Sequence, residues 1–271
     1  MLYYQAMEWS EKNTLRYDRN IRLAELGREG QERLFKASIL VIGAGGLGSP
    51  ALLYLAAAGV GRIGIMDGDR LDLTNLNRQV IHKNDSLGRW KAESAAETLL
   101  SFCPDLKVDV HNRLLTAENA CGMFHEYDVV VDATDNFPSK FLCNDAAVVT
   151  KRPLVHAGVM RFGGQVLTVL PGETACLRCL IPEIPTKADS PGAALIGILG
   201  AAAGIAGAWQ ALEVIKLVAE MPPKPGGVLL SLDALSGGVS RHPVPKNPAC
   251  PTCGDQPRIP IPLSPTEYEQ K

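Results

Sequence analysis

The chain has 271 residues, 46% of them hydrophobic and 21% charged, and a formal net charge of -2. That length supports one large core within the single-domain α/β range, and a near-neutral charge without a basic stripe argues against nucleic acid or an anionic membrane as the main partner. The opening residues carry acids and no apolar run, so no signal peptide is expected and the expected location is cytoplasmic.

Residues 1–14 carry little information. Leu15–Leu23 then places Arg16, Arg19 and Arg22 close together, either as a solvated face or as a phosphate clamp, since guanidinium forks match phosphate oxygens. An amphipathic stretch around Gln31–Phe35 leads into Ser38–Ile42, a short apolar run that reads as a strand. It stops at Gly43-Ala44-Gly45-Gly46-Leu47-Gly48, a G-x-G-x-x-G placed where a strand hands over to a helix. Gly43 permits the tight turn, Gly45 lets backbone approach a phosphate, and Gly48 lets helix and strand pack closely. The helix N-terminus offers free N–H groups to an anion. A second strand, Arg62–Met66, ends at Asp67, about 20 residues on, where a carboxylate can accept hydrogen bonds from ribose hydroxyls. The plain alternative is a glycine turn that binds nothing.

Thr74-Asn75-Leu76-Asn77-Arg78-Gln79 is polar, with a capping threonine, and reads as a short helical turn beside the strand ends. Leu87–Ser101 has helical spacing, and Lys91 falls in its first turn. A cation is unfavourable there, so it is either solvated or compensated by a bound anion. Lys107–His111 reads as a strand, Thr116–Gly122 as a short helix, and Tyr127–Val131 as a buried strand running into Asp132-Ala133-Thr134-Asp135-Asn136. Two carboxylates at a strand end suit Mg²⁺ together with phosphate oxygens. One of the two is expected to cap the helix Phe137–Thr150. Pro153–Ala157 reads as the next strand, and Gln165–Leu170 as an antiparallel edge.

Cys176, Cys179, Cys250 and Cys253 form two C-x-x-C pairs in turn-like contexts. Four thiolates in two knuckles fit a closed tetrahedral zinc site, structural rather than catalytic. A reducing cytosol disfavours disulfides, and a redox C-x-x-C would not come as a distant pair. Cys103, Cys121 and Cys143 read as buried rather than reactive. Ala193–Leu212 holds no charge over a length that could cross a bilayer, but its alanine and glycine content favours a helix packed in a core or an interface. The strand Val228–Asp233 follows a Pro/Gly turn. Residues 1–254 are expected to form one domain and 255–271 a loose tail. The whole reads as an α/β protein: a Rossmann-like sheet with helices on both faces, extended by antiparallel strands and carrying a four-cysteine zinc site.

The chain resembles the ubiquitin-activating-type adenylyltransferases of the MoeB/ThiF/HesA group, from about Arg16 to Gly254. The resemblance rests on RYDRNIRL, GAGGLGSPALLYLAAAGVG, MDGD, TNLNRQ, WKAES, DATDN and the pair CLRC and CPTCG, in that order. It implies ATP binding, adenylation of the C-terminal glycine of a small ubiquitin-like sulfur-carrier protein ending in Gly-Gly, a homodimer, and zinc on the four cysteines. By position it implies that Gly43, Gly45 and Gly48 line the nucleotide and Asp67 holds the ribose. Asn75, Arg78 and Lys91 are implied to contact the triphosphate, and Asp135, with Asn136 beside it, to associate with magnesium. Arg19 is implied to reach the γ-phosphate from the neighbouring subunit.

Two departures from the family pattern stand out. No cysteine lies between Cys179 and Cys250, where family members often carry one near the place of Asp189-Ser190-Pro191. Adenylation without a loop cysteine, followed by attack of a separate sulfur donor, is therefore expected. Trp90 stands where the family usually has proline, next to Lys91. No sulfurtransferase (rhodanese) domain is expected after CPTCG. The pathway stays open among molybdopterin, thiamine and related sulfur-transfer routes. An NAD(P)-dependent oxidoreductase would satisfy the glycines and Asp67 but leaves Arg78, Lys91, Asp135 and the cysteine pairs without a role. A catalytically silent scaffold of the same family leaves those charged residues equally unexplained.

Overall fold

The structure is a computed structural model that describes residues 9–186 and 196–268. Its centre is β1 (Ser38–Ile42), flanked by β2 (Arg62–Met66) and β4 (Val129–Asp132), all rich in β-branched and aliphatic side chains and buried on both faces. Among the described residues the strands form one sheet of eight, in the order β3-β2-β1-β4-β5-β6-β7-β8. β3 (Lys107–His111) completes one parallel wing, and β5 (Leu154–Met160) pairs parallel with β4. β6 (Gly163–Val169), β7 (Val228–Asp233) and β8 (Gly238–Pro243) then continue it antiparallel. The chain moves outward from β1 to β3 and returns to the other side of β1 as β4. This makes a topological switch point at the C-terminal ends of β1 and β4, where open α/β sheets bind ligands.

Helices cover both faces. On one lie α3 (Gly27–Lys36), α4 (Gly48–Ala57), α5 (Lys91–Phe102) and the long α9 (Gly200–Val218), packed around Leu34, Leu52, Leu99 and Val214. On the other lie α6 (Ala117–His125) and α7 (Phe137–Thr150), packed through Phe124, Phe141 and Ala146. Short helices α1 (Glu11–Arg16) and α2 (Asp18–Ile21) precede them, and α8 (Leu177–Leu180) starts at the first cysteine pair. α9 is long and apolar enough to span a bilayer, yet small residues let it lie directly on α4. A Cβ on Gly207 would come within 2.2 Å of the Leu47 carbonyl oxygen, so only glycine permits this approach.

Several local readings need correction. Neither Asp132 nor Asp135 caps α7: Asn136 does, accepting the Ser139 N–H at 2.9 Å. Thr74 likewise does not cap the turn Leu73–Asn75. Asp72 caps it, and the Asn75 side chain bonds back to the Asp72 N–H in a capping box. The helix read over Leu87–Ser101 begins only at Lys91, because Gly88 has φ of 81° and Trp90 is extended. β6 is not an edge, since β7 and β8 lie beyond it. β8 carries no sequence signal, since all of its side chains are exposed and it has no apolar alternation. The segment after Gly254 is not loose throughout: Leu263 and Tyr268 are buried against the α7 side of the core. The place near Asp189-Ser190-Pro191 lies outside the described residues.

Candidate active site

Sterics fix the glycine turn. Gly43 has φ of 96°, and a Cβ there would sit 2.7 Å from the Ala133 carbonyl oxygen. One on Gly48 would sit 1.9 Å from the Gly43 carbonyl oxygen. Gly48 therefore works behind the turn, while Gly43 and Gly45 line the cleft. Ala44 is held from both sides. Its N–H donates to Asp67 Oδ2 at 2.8 Å, and its carbonyl accepts from His82 Nε2 at 2.9 Å. His82 Nδ1 then accepts from the Ser94 hydroxyl at 3.0 Å. Burial holds this imidazole below its ordinary range, which keeps it neutral. Asp67 Oδ1 accepts the Asp69 N–H at 2.8 Å. Burial raises the Asp67 carboxyl despite these two bonds, and each oxygen keeps a second lone pair for a ligand hydroxyl.

Lys91 matches neither expectation: it is not solvated, and its charge is compensated by a side chain of the chain itself rather than by a bound anion. Its side chain is only 8% exposed, and Nζ lies 2.9 Å from Asp69 Oδ2. Trp90 presents it: extended at the N-cap position, its ring is covered by the Arg70 guanidinium at 4.1 Å. Arg78 is half-buried, its stem near Gly46 and its guanidinium donating to the Thr74 carbonyl at 2.9 Å. Beside it, Gln79 is buried and lines the cleft, and its Oε1 has no partner among the described residues. Such an orphaned polar atom fits a ligand-binding wall.

At the end of β4, Asp132 and Asp135 part ways. Asp132 is fully buried, bonded to His156 Nδ1 at 2.6 Å and to the Thr134 hydroxyl at 2.6 Å, with Lys140 Nζ at 3.5 Å. Burial alone would raise its carboxyl, but Lys140 and His156 hold it well below the usual carboxylate range. That carboxylate is committed to the protein. Asp135 is exposed in the cleft, so of the expected pair only Asp135 is free to meet a cation. One carboxylate plus phosphate oxygens and water is a donor set that suits Mg²⁺.

The cleft measures about 1170 Å³ and brings together Gly43, Gly45, Asp67, Arg78, Lys91, Asp135 and Asn136. It extends past them over β5, β6 and β7, along Gly158, Gln165, Leu167 and Leu229. Asn75 and Gly48 support its walls without lining it. Arg19 is exposed on α2, outside this cleft, and has no hydrogen-bond or ion-pair partner among the described residues. Arg16 and Arg22 are engaged within the chain instead, by the distant Phe102 carbonyl and by Asp18 one turn away. Lys140 and His156 also line the cleft and were not singled out from sequence. Lys140 lies four positions after Asn136, whereas His156 is far from that run in sequence and meets Asp132 only through β4–β5 register.

The four cysteines converge. Their sulfurs all lie within 4.8 Å of one another, with Cys176–Cys250 at 3.6 Å and Cys179–Cys253 at 3.3 Å. Four sulfurs about 2.3 Å from one zinc ion would lie about 3.8 Å apart, so the set fits zinc. Behind it, the buried Asp145 of α7 accepts from Arg178 Nη2 at 2.8 Å and Thr252 Oγ1 at 2.8 Å. These are the residues just before the second cysteine of each knuckle. Tyr268 of the C-terminal segment reaches the same carboxylate at 3.2 Å. Cys103 and Cys143 are buried as expected and Cys121 is only half-buried; desolvation pushes all three thiols up, in line with unreactive cysteines.

Switch point, glycine turn, ribose-type acid and flanking cations define a doubly wound α/β nucleotide-binding protein that also carries a four-cysteine cluster. The chain belongs to the ThiF family, whose model matches residues 17–252. It is 42% identical to the sulfur carrier protein adenylyltransferase of Thermus thermophilus over 93% of this chain and 94% of that one. It is also 42% identical to the SAMP-activating enzyme E1 of Haloferax volcanii, over 89% and 88%. Against the adenylyltransferase and sulfurtransferase MOCS3 of Anopheles gambiae the identity is 41%, and the chain spans 56% of that protein. Among solved structures, Escherichia coli MccB with ATP superposes with a TM-score of 0.73 at 21% identity, covering 92% of this chain and 83% of that one, a likeness of fold.

Proposed function

We propose that the chain is an ATP-dependent adenylyltransferase that activates the C-terminal glycine of a small ubiquitin-like sulfur-carrier protein. The observation that carries this reading is one continuous cleft. Its β1–β2 end has a nucleotide turn and a ribose-type acid, its middle has Arg78, Lys91 and Asp135, and its far end opens over β5–β7. A dehydrogenase reading gives that middle group no task. The relative named as a sulfur carrier protein adenylyltransferase and the one named as an adenylyltransferase and sulfurtransferase support it from sequence.

In this reading the ribose hydroxyls bond Asp67, and the phosphates lie over the turn at Gly43 and Gly45. The carrier carboxylate attacks the α-phosphorus and pyrophosphate leaves. Two anions must approach each other, so preorganised cations supply most of the stabilisation. Arg78 and Lys91 provide them from this subunit. Lys91 exchanges part of its pairing with Asp69 for the phosphates, which keeps the buried ammonium compensated throughout. Asn75 fixes the turn that carries Arg78. Mg²⁺, when bound at Asp135 with Asn136 beside it, neutralises phosphate charge. The Asn136 amide oxygen is occupied by its cap, so Asn136 acts chiefly by placing Asp135. Arg19, outside its own cleft, reaches the γ-phosphate of a second copy in a homodimer. Zinc on Cys176, Cys179, Cys250 and Cys253 ties the C-terminal segment to the middle of the chain.

A separate sulfur donor then attacks the adenylate, in the cytoplasm and without a loop cysteine. The test is exchange of labelled pyrophosphate into ATP in the presence of candidate carriers ending in Gly-Gly. Exchange with one of them supports the reading. Binding of NAD in preference to ATP·Mg would overturn it.

A further inference from the structure

The cleft follows the order of the strands. Asp67 stands after β2, the glycine turn after β1, Asp135 after β4, and His156, Gly158 and Gln165 on β5 and β6. With ribose at Asp67 and phosphates over the turn, an acyl substrate reaches the α-phosphorus by entering over β5 and β6. His156 stands at that junction, in register with Asp132 of the neighbouring strand.

The ring is held by its Nδ1 edge. A carboxylate can only accept at this pH, so Nδ1 donates its proton to Asp132 Oδ2 at 2.6 Å and Nε2 keeps its lone pair. Burial and the nearby Lys140 ammonium keep the ring below its ordinary range, outweighing the opposite pull of Asp132, so it is neutral near pH 7. Lys140 is anchored in turn, donating to the Ala157 carbonyl. His156 lines the cleft, and its Nε2 has no partner among the described residues. The result is a preorganised acceptor at the entrance to the reacting phosphate.

A Gly-Gly tail has no side chains, so it is recognised through its backbone, and its only donors are amide N–H groups. A lone pair at Nε2 attracts such a donor and repels the terminal carboxylate. We propose that His156 is a tail-binding residue: Nε2 accepts a backbone N–H from the terminal Gly-Gly of the carrier and leaves the carboxylate facing the α-phosphorus. Asp132 and Lys140 act through His156 as positioning residues. This inference rests on the proposed adenylyltransferase function and names a contact within that same cleft.

The experiment compares wild type, His156→Phe and His156→Gln in pyrophosphate exchange, using a purified sulfur carrier ending in Gly-Gly, with ATP·Mg binding measured separately by calorimetry. Loss of one hydrogen bond should raise the carrier KM about tenfold in His156→Phe and leave the ATP dissociation constant unchanged. Glutamine, which keeps an acceptor, should recover part of the loss. A carrier with one of its last two amide N–H groups replaced by an ester oxygen should show a similar loss with wild type and little further loss with His156→Phe. Unchanged carrier KM in His156→Phe overturns the inference, as does a parallel rise in the ATP dissociation constant, which would mark a merely structural role. Those results leave the proposed function standing. Wild type that exchanges pyrophosphate with no carrier overturns both.

Discussion

The two halves of the sheet are held by different means. In the parallel half the backbone makes the site: the glycine turn is locked by contacts that no other residue allows, and Asp67 and His82 hold Ala44 from both sides. In the antiparallel half the fold depends on side chains gathered from far apart in sequence. Four thiols from the segments after β6 and β8 converge, and Asp145 of the neighbouring helix α7 collects Arg178, Thr252 and Tyr268. A preorganised phosphate site needs rigid backbone N–H groups, whereas the four cysteines and Asp145 do not line the cleft and serve the frame around it. Damage to the first half should therefore abolish chemistry and spare the fold. Damage to the second should cost stability first.

The sharpest contrast comes from Asp135 and Cys250. Asp135→Ala should fold normally and lose carrier-dependent pyrophosphate exchange by about a hundredfold or more, the scale of removing one electrostatic group from an active site. Normal exchange in that variant would remove Asp135 from the mechanism. Cys250→Ser should release zinc, measured by elemental analysis, and lower the melting temperature; unchanged metal content would contradict the four-thiolate site.

Asp145→Ala leaves the buried Arg178 guanidinium unpaired, and breaking a buried pair costs about 3–5 kcal/mol, readable in urea unfolding. ATP binding should change far less than stability. If ATP affinity collapsed while stability held, the division between the halves would be wrong.

Acid tests the nucleotide half and the cleft floor together. His82 and His156 are held below the ordinary imidazole range, so their stabilisation is complete above the unfolded value of about 6.5 and is lost as pH falls below it. Asp132, depressed, adds stability that disappears on further acidification below the unfolded carboxylate range of about 4. Asp67, raised by burial, works with the opposite sign over the acid range. The melting temperature should fall between pH 7.5 and 5.5, and a rise would contradict the buried neutral imidazoles. The smallest effect is expected from Tyr268→Phe, which removes one hydrogen bond to Asp145 and should cost about 1 kcal/mol.

The same division governs what could be read from sequence. β1, β2 and β7 were legible to the residue because short apolar runs encode them locally, β3 because it alternates, and α7 because a polar capping run precedes it. The glycine turn and Asp67 were legible because their spacing is itself the mechanism. Lys140 and His156 were not, since a lone lysine on a helix and a histidine in a strand gain meaning only when β4 and β5 pair in register. Asp132 looked like a metal ligand because sequence shows carboxylates without their partners. The Asp145 hub was invisible for the same reason: its partners lie 33 to 123 positions away. β8, exposed and without alternation, carried no signal at all.

The central claim is that one cleft joins an ATP site to an entrance for a glycine-ended carrier. It is tested most directly by trapping the product, incubating the chain with ATP·Mg and a sulfur carrier ending in Gly-Gly and weighing the carrier by intact mass spectrometry. The account predicts a carrier heavier by one adenylyl group, that is AMP less the elements of water, with pyrophosphate released in equal amount. A carrier of unchanged mass, with ATP bound but no pyrophosphate formed from any such carrier, would contradict it.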